Sequence, residues 1–264
     1  MARFCPLFSG SSGNSYYVGA SGGGILVDAG RSAKQMELAL RANGLEPDRI
    51  QAIFITHEHS DHIQGVRVLA SRYSIPVYAS RGTLEGMEQA GAINGKFFCD
   101  IVDGEGIETA GMRVTPFRTS HDSRESVGYV IHTPDGRKIA VATDLGYLSE
   151  TVFEAVSGCD LLVLESNHDV RMLQNGCYPY YLKRRILSER GHLSNDACAG
   201  ELPAFVQSGT TRIVLAHLSQ ENNIPELAYQ TALCTLTTCG MKQGIDFELM
   251  VAPRDNMGGK TILF

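Results

Sequence analysis

No apolar run in the 264-residue chain approaches the roughly 18 residues that a helix needs to cross a bilayer. The longest, such as Leu161 to Leu164 and Ile213 to Ala216, have the length of strands. A membrane-spanning helix is therefore excluded. The first twenty residues hold one Arg followed by a polar Ser/Gly run, with neither the apolar core nor the cleavage site of a signal peptide, so the expected location is cytoplasmic. No Cys-x-x-Cys pair occurs, and seven cysteines in so long a chain read as free thiols. There is no Pro/Ser-rich linker, short-period repeat or low-complexity tract, which leaves one domain over residues 1–264 as the simplest organisation. Positive charge is also in short supply. With 23 basic against 29 acidic side chains the formal charge is −6, which argues weakly against coating nucleic acid through bulk charge.

What is present is an ordinary core-forming composition, 43% hydrophobic and 20% charged, punctuated by 28 glycines. Short β-branched runs predict strands at Ala2–Phe8, Ser15–Val18 and Gly24–Val27, separated by Ser9–Asn14 and by the turn Ser21-Gly22-Gly23. Helices are expected over Ser32–Asn43, Ile63–Ser74, Thr83–Gln89, Ser149–Val156, Tyr180–Ser188, Asn195–Gln207 and Pro225–Thr238. Buried strands are expected at Ala52–Thr56, Pro76–Ala79, Leu161–Glu165 and Ile213–Ala216, with Phe247–Val251 as the closing strand. Each half passes from strands to helices, an α/β pattern of two similar layers.

The decisive feature is His57-Glu58-His59-Ser60-Asp61-His62 at the end of a predicted strand. With 8 His and the 13 Asp that the sequence contains, a His-x-His-x-Asp-His pattern arises by chance about 0.0004 times per chain. Four imidazole and carboxylate groups in one loop exceed what one closed site with an open position needs, so two metals are implied. Further candidates end other strands: His121 after Arg113–Ser120, Asp144 after Ile139–Thr143, and His217 after Ile213–Ala216.

This hexapeptide, followed in order by His121, Asp144 and His217, resembles the metallo-β-lactamase fold superfamily. The resemblance implies a four-layer αββα sandwich with a dinuclear site at one edge. It suggests His57, His59 and His121 on the first metal, and Asp61, His62 and His217 on the second, with Asp144 bridging. Asp28, ending Gly24–Val27, matches the family's first motif, in which a carboxylate buttresses the ligand loop. The antibiotic-degrading members commonly carry Cys where Asp144 stands. All seven ligands here are nitrogen or oxygen donors that suit zinc, manganese or iron.

Four further segments narrow the resemblance: Ser9–Asn14, Leu164–Asp169, Gly191–Asn195 and Leu215–Asn223. Together they look like the YycJ (WalJ) subfamily, which implies metal-dependent exonuclease action on DNA from the 5′ end. The segments around His192 and His217 also resemble ribonuclease Z. A metal-bridging hydroxide attacking a phosphodiester is the chemistry such a site supplies. Asp61 and His192 are the expected catalytic residues, His192 as proton donor to the leaving oxygen. Ser194 or Asn195 caps the helix that follows, whose free N–H groups favour an anion.

The substrate is expected to be nucleic acid, single-stranded or end-bearing DNA. Ser11, Ser12 and Asn14 either form an anion nest for a terminal phosphate or a plain hairpin turn. His168 lies past a buried strand, and Asn222 belongs to the segment around His217. Between Val170 and Asn195 five basic residues, Lys183 and Arg184 among them, face one acid for +4, with tyrosines just upstream. Such an island either grips a single strand or is a solvated helix face. Ribonuclease Z-like RNA processing, or hydrolysis of a small ester, thioester or lactone, uses the same ligands and stands as the alternative.

Overall fold

The computed structural model describes residues 1–20 and 23–264, so Ser21 and Gly22 of the expected first turn lie outside the described residues. The chain begins with β1 (Arg3–Phe8), β2 (Ser15–Ala20), β3 (Gly23–Val27), α1 (Ala33–Ala42) and β4 (Ile50–Ile55). It continues through α2 (Ser60–Ile63), α3 (Val66–Tyr73), β5 (Val77–Ala79), α4 (Arg81–Gln89), β6 (Cys99–Ile101), β7 (Ile107–Thr109), β8 (Met112–Arg118) and β9 (Val127–His132). Then come β10 (Lys138–Ala142), α5 (Glu150–Val156), β11 (Leu161–Glu165), α6 (Val170–Asn175), α7 (Tyr180–Ile186) and α8 (Asn195–Gln207). The last elements are β12 (Arg212–Ala216), α9 (Pro225–Thr238), β13 (Glu248–Val251) and β14 (Ile262–Leu263). Two seven-stranded sheets with accompanying helices form among the described residues, the α/β architecture expected. None of those helices is long and apolar enough to cross a membrane, and all seven cysteines are free thiols.

The chain divides into two compact units, each discontinuous in sequence. The first comprises Met1–Pro116, Ser123–Arg137 and Pro253–Phe264, and contains the sheet β14-β1-β2-β3-β4-β5-β6. Its β3, β4, β5 and β6 run parallel, with Val27 opposite Phe54 and Ile55 opposite Ala79. Met36, Ala39 and Leu40 of α1 and Leu69 and Ala70 of α3 share one buried cluster with Ile53, Ile55 and Val77 of this sheet. Ser32 caps α1 by accepting from the Gln35 N–H, and Gly44 follows the helix at φ 66°, where a side chain would be strained.

The second unit comprises Phe117–Asp122 and Lys138–Ala252. Here β10, β11, β12 and β13 lie side by side, all parallel, so that Val141, Val163, Val214 and Met250 form one row across them. The strands β11 and β12 read as continuous apolar runs because both faces are covered, and Leu161–Leu164 and Val214–Ala216 are fully buried. The helices α8 and α9 pack on each other, and α9 on β13 as well, with Leu202, Phe205, Ala228 and Leu236 buried.

Three elements differ from expectation. The helix anticipated over Ile63–Ser74 is two helices, because at Gly65 the chain crosses the backbone of residues 29–31. The Gly65 N–H donates to Ala29 O, and a Cβ there would stand 2.2 Å from Arg31 O. The helix α6 was not anticipated; the Asp169 carboxylate caps it by accepting from Met172 N at 2.7 Å. The closing strand is β14, which pairs antiparallel with β1, rather than β13.

Candidate metal and catalytic centre

In the first unit, adjacent parallel strands end at Asp28 and at Thr56-His57, which brings residues distant in sequence side by side. Asp28 is fully buried and sits at φ 63°, a left-handed conformation that few side chains adopt. That backbone aims its carboxylate across to the next strand end. Oδ1 accepts from Thr56 N (2.8 Å), and Oδ2 accepts from Thr56 Oγ1 (2.9 Å) and from His62 Nδ1 (2.8 Å). Burial pushes the Asp28 carboxyl up, against the pull of His62 and Thr56.

These bonds dictate proton positions. The Thr56 hydroxyl has one proton and gives it to Asp28, so it accepts from His57 Nδ1 at 3.0 Å. His57 thus presents Nε2 as a lone pair, 3.0 Å from His59 Nδ1. His62, donating through Nδ1, likewise presents Nε2, 3.6 Å from Asp61 Oδ2. Hydrogen-bonding the far nitrogen of an imidazole so that the near one is bare is how ligating histidines are prepared.

Asn14 is the one residue of this unit whose expected role changes. Expected to meet substrate, it is fully buried: Oδ1 accepts from Gly10 N (2.9 Å), while Nδ2 lies 3.1 Å from His62 Nε2 and 3.5 Å from Asp61 Oδ2. Its backbone N–H donates to Asp61 O at 2.8 Å. Asn14 therefore fastens the Ser9–Asn14 turn to the ligand loop. Gly30 lies beneath both; a Cβ there would be 1.7 Å from Asp61 O, so this crossing admits no side chain.

In the second unit the same logic recurs. Asp144, Glu165 and His217 stand at or just past the C-terminal ends of the neighbouring strands β10, β11 and β12. Asp144 and His217 are again left-handed, at φ 58° and 55°. The sequence pattern gives Glu165 no role of its own, only its segment; the signal it offers is a carboxylate ending a fully apolar strand. It is completely buried and accepts four hydrogen bonds. Oε1 takes His192 Nδ1 (2.8 Å) and His217 Nδ1 (2.7 Å), and Oε2 takes the N–H groups of Leu145 (2.9 Å) and Leu193 (3.1 Å). Burial alone would raise this carboxyl, but the two imidazoles outweigh it and hold Glu165 well below the usual carboxylate range.

As an acceptor, Glu165 fixes both histidines as Nδ1–H tautomers with Nε2 unprotonated. His121 reaches the same state through Nδ1–H donation to Gly191 O at 3.1 Å, with Nε2 3.8 Å from Asp144 Oδ1. Burial lowers the His121 pKa, which keeps the ring neutral and able to bind a cation. The rings of His121 and His217 stand 5.0 and 5.2 Å from that of His192. His217 and His121 are buried, whereas His192 is partly open to solvent. Ser194, not Asn195, caps α8; with Asn195 N donating to His168 O and Ala197 N to Ser194 Oγ, two first-turn amides expected to favour an anion are already engaged.

His168 is buried, and neither of its ring nitrogens has a hydrogen-bond partner among the described residues. Burial lowers its pKa to about 4, against the nearby Glu165 carboxylate, which pulls the other way. Because the folded state resists protonating His168, stability is lost as pH falls from about 6.5 toward 4, by about 2 kcal/mol at pH 5. Denaturant melts at pH 7 and pH 5 should therefore show a smaller acid loss in His168→Gln than in the native protein. Equal losses would contradict this.

The remaining substrate candidates divide. Ser11 is exposed and Ser12 half-buried. The Lys183 ammonium already donates to Gln174 O (2.8 Å), Arg185 pairs with Asp122, and Arg190 reaches His121 O (3.4 Å), so much of the +4 island is turned to internal partners. Arg184 lies 6.0 Å over the Tyr180 ring, beside the exposed Tyr181. Asn222 is buried, its backbone N–H on Ser219 Oγ and its Oδ1 without a partner among the described residues.

The family model described as a beta-lactamase superfamily domain matches residues 24–218. An exodeoxyribonuclease YycJ of Bacillus anthracis is 41% identical over 251 residues, covering 94% of each chain. Among solved structures, the metallo-beta-lactamase fold protein YhfI of Bacillus subtilis superposes with a TM-score of 0.72 at 14% identity, over 99% of this chain and 98% of that one. The short form of human tRNase Z does so at 0.64 and 20%, over 99% and 98%.

Proposed function

The chain belongs to the beta-lactamase superfamily and is a metal-dependent hydrolase, and from that premise we propose that it is a nuclease that removes nucleotides from the 5′ end of DNA. The observation that carries the reading is Glu165 holding His192 and His217 as one unit. One of these imidazoles matches the ligand pattern; the other stands outside it, partly open to solvent, with a bare Nε2. A proton donor beyond the ligand set is what cleavage of a phosphodiester with a poor alkoxide leaving group requires. The B. anthracis relative, named an exodeoxyribonuclease and similar along nearly its whole length, supports the same reading.

The donors fit divalent cations: imidazole nitrogens left unprotonated by the hydrogen bonds of Thr56, Asp28, Glu165 and Gly191, together with the carboxylates of Asp61 and Asp144. In our assignment His57, His59 and His121 would hold one ion and Asp61, His62 and His217 a second, with Asp144 as a further carboxylate ligand. When bound, the ions supply a hydrolytic nucleophile at neutral pH and positive charge for the phosphoryl group. His192, in its protonated form, gives the Nε2 proton to the departing 3′ oxygen while Nδ1–H remains on Glu165. Asp28 and Thr56 keep His57 and His62 in their ligating tautomers throughout.

The test is an activity panel on end-labelled single- and double-stranded DNA and RNA with Mn, Zn or Mg. The expected result is stepwise shortening of DNA from its 5′ end, abolished by a chelator. Asp61→Ala should lower it by at least the about 10- to 100-fold that even outer partners of a metal command. Intact DNA alongside cleavage of RNA, or of a small ester, thioester or lactone, would overturn the reading.

A further inference from the structure

Within the first unit, a cavity of about 670 Å³ opens beside the ligand loop. Ser11, Ser12, Asp61, Gln64 and Arg67 line it, with Ala90–Ala92 at the end of α4 completing the wall. Its volume lies in the range that encloses one small ligand rather than a continuous strand.

The cavity is rich in donors that the fold does not use. Arg67 is exposed, and among the described residues its guanidinium makes neither an ion pair nor a hydrogen bond. It occupies the first turn of α3, where the helix dipole disfavours a cation, so helix stability does not account for it. Ser11 and Ser12 form the tip of a turn held rigid on both sides. Gly13 N donates to Gly10 O at 2.9 Å, and Gly10 N to Asn14 Oδ1 at 2.9 Å. Gly13, at φ 154°, is pressed so close to Gly30 O and Arg31 that a Cβ would lie within 2.7 Å of each. The flanking amides are thereby engaged, while the hydroxyls and N–H groups of Ser11 and Ser12 have no partner among the described residues. Asn14 N on Asp61 O sets this turn directly against the ligand loop. Two carboxylates also line the cavity. Asp61 belongs to the proposed ligand set, and Glu58 has Oε1 on Arg124 N at 2.9 Å and Oε2 buried without a partner among the described residues.

A guanidinium, two hydroxyls, a carboxamide and the N–H groups of the Ser11–Ser12 turn, carried by residues that line a nucleotide-sized space, are the complement of a phosphate monoester. We propose that this cavity seats the 5′-terminal nucleotide of the substrate strand, with its terminal phosphate on Arg67 and the Ser11–Ser12 turn. The inference rests on the phosphodiesterase reading and gives it a recognition site. The chemistry is consistent with repeated action. The oxygen of water bonds to phosphorus, the P–O3′ bond breaks, and the 3′ oxygen leaves with its electron pair and takes a proton. The phosphate stays on the shortened strand, so every product end again carries the group that Arg67 recognises.

The test measures binding and turnover separately. Calorimetric titration of the metal-loaded protein with thymidine 5′-monophosphate and with thymidine should show at least about tenfold tighter binding of the phosphate form. Arg67→Gln should remove most of that difference, and Ser11→Ala with Ser12→Ala part of it. On DNA, native protein should prefer 5′-phosphorylated over 5′-hydroxyl strands through KM, and Arg67→Gln should lose the preference. Arg67 is exposed, and an unchanged circular dichroism melt establishes that the variant folds. If Arg67→Gln keeps the native preference for phosphate in the titration, the inference is overturned. If no DNA is cut at all, the nuclease reading fails by itself, and the titration still decides whether Arg67 binds the phosphate.

Discussion

Replacing Glu165 with Gln is expected to lower kcat/KM by about 10³-fold or more, the largest effect of any single non-ligand substitution. The carboxylate accepts four hydrogen bonds from two imidazoles and two backbone amides, and donates none. A carboxamide of the same shape has one acceptor oxygen and one donor NH2, and in either orientation the NH2 faces two N–H groups. Turned toward the peptide amides, it leaves Leu145 N and Leu193 N buried without an acceptor. Turned toward the rings, it forces His192 and His217 to accept through Nδ1, which moves their protons to Nε2. His217 then loses the lone pair proposed to bind a cation, and His192 loses its support as an acid.

Two measurements separate these consequences. Metal content by titration should show an affinity about 10- to 100-fold weaker in Glu165→Gln. His192→Ala should retain the native metal content but lose about 10²- to 10⁴-fold in turnover of DNA. An aryl phosphodiester, whose leaving group departs without a proton, should largely restore His192→Ala and leave Glu165→Gln impaired. A Glu165→Gln protein with native metal affinity and native turnover would show that Glu165 is only a structural end to its strand.

Asp28 is expected to give the second large effect, this time on folding. Asp28→Ala leaves Thr56 N–H, Thr56 O–H and His62 Nδ1–H buried without their acceptor, and it asks Ala to adopt φ 63°. At about 1–3 kcal/mol for an abandoned buried donor, plus the backbone strain, a loss of about 4 kcal/mol or more is expected. That is a large part of a typical domain's stability. Asp28→Asn isolates the electrostatic part, because Asn tolerates the left-handed region. It should fold with a loss of about 1–2 kcal/mol while its NH2 drives His62 toward the wrong tautomer, weakening metal binding. Denaturant melts and metal titration on the two variants check both halves. Equal stability of Asp28→Ala and the native protein would remove Asp28 as the support of the ligand loop.

Much of the organisation is legible in the amino-acid sequence. The helices at Asn195–Gln207 and Pro225–Thr238 were predicted to their observed limits, and Ser32 and Ser149 cap α1 and α5, starting helices where expected. The reason is local: caps, glycine stops and the 3.6-residue period all lie within one element. His57, Asp144 and His217 were legible as strand-terminal residues because the apolar runs of β4, β10 and β12 stop just short of them. The net charge of −6 was the least informative number. A +4 island leaves −10 for the other residues, yet structure shows the island's Lys183, Arg185 and Arg190 bonded to internal partners. Exposure of Arg67 and the Ser11–Ser12 turn matters more than either sum.

What the sequence determined by itself was the donor chemistry: three histidines and an aspartate in six positions, and the strand ends at which further donors stand. What only the tertiary structure decided was which of their nitrogens carry the proton. That depends on partners far away in the chain, such as Glu165 on His217 and Asp28 on His62, which meet because parallel strands set their C-terminal ends side by side. It depends also on left-handed backbone at Asp28, Asp144 and His217, which Asp and His tolerate better than most residues but which no local sequence pattern fixes. Strand register and backbone strain are properties of the packed chain, and through hydrogen bonds to Nδ1 they select the tautomer in which each imidazole can bind or give a proton.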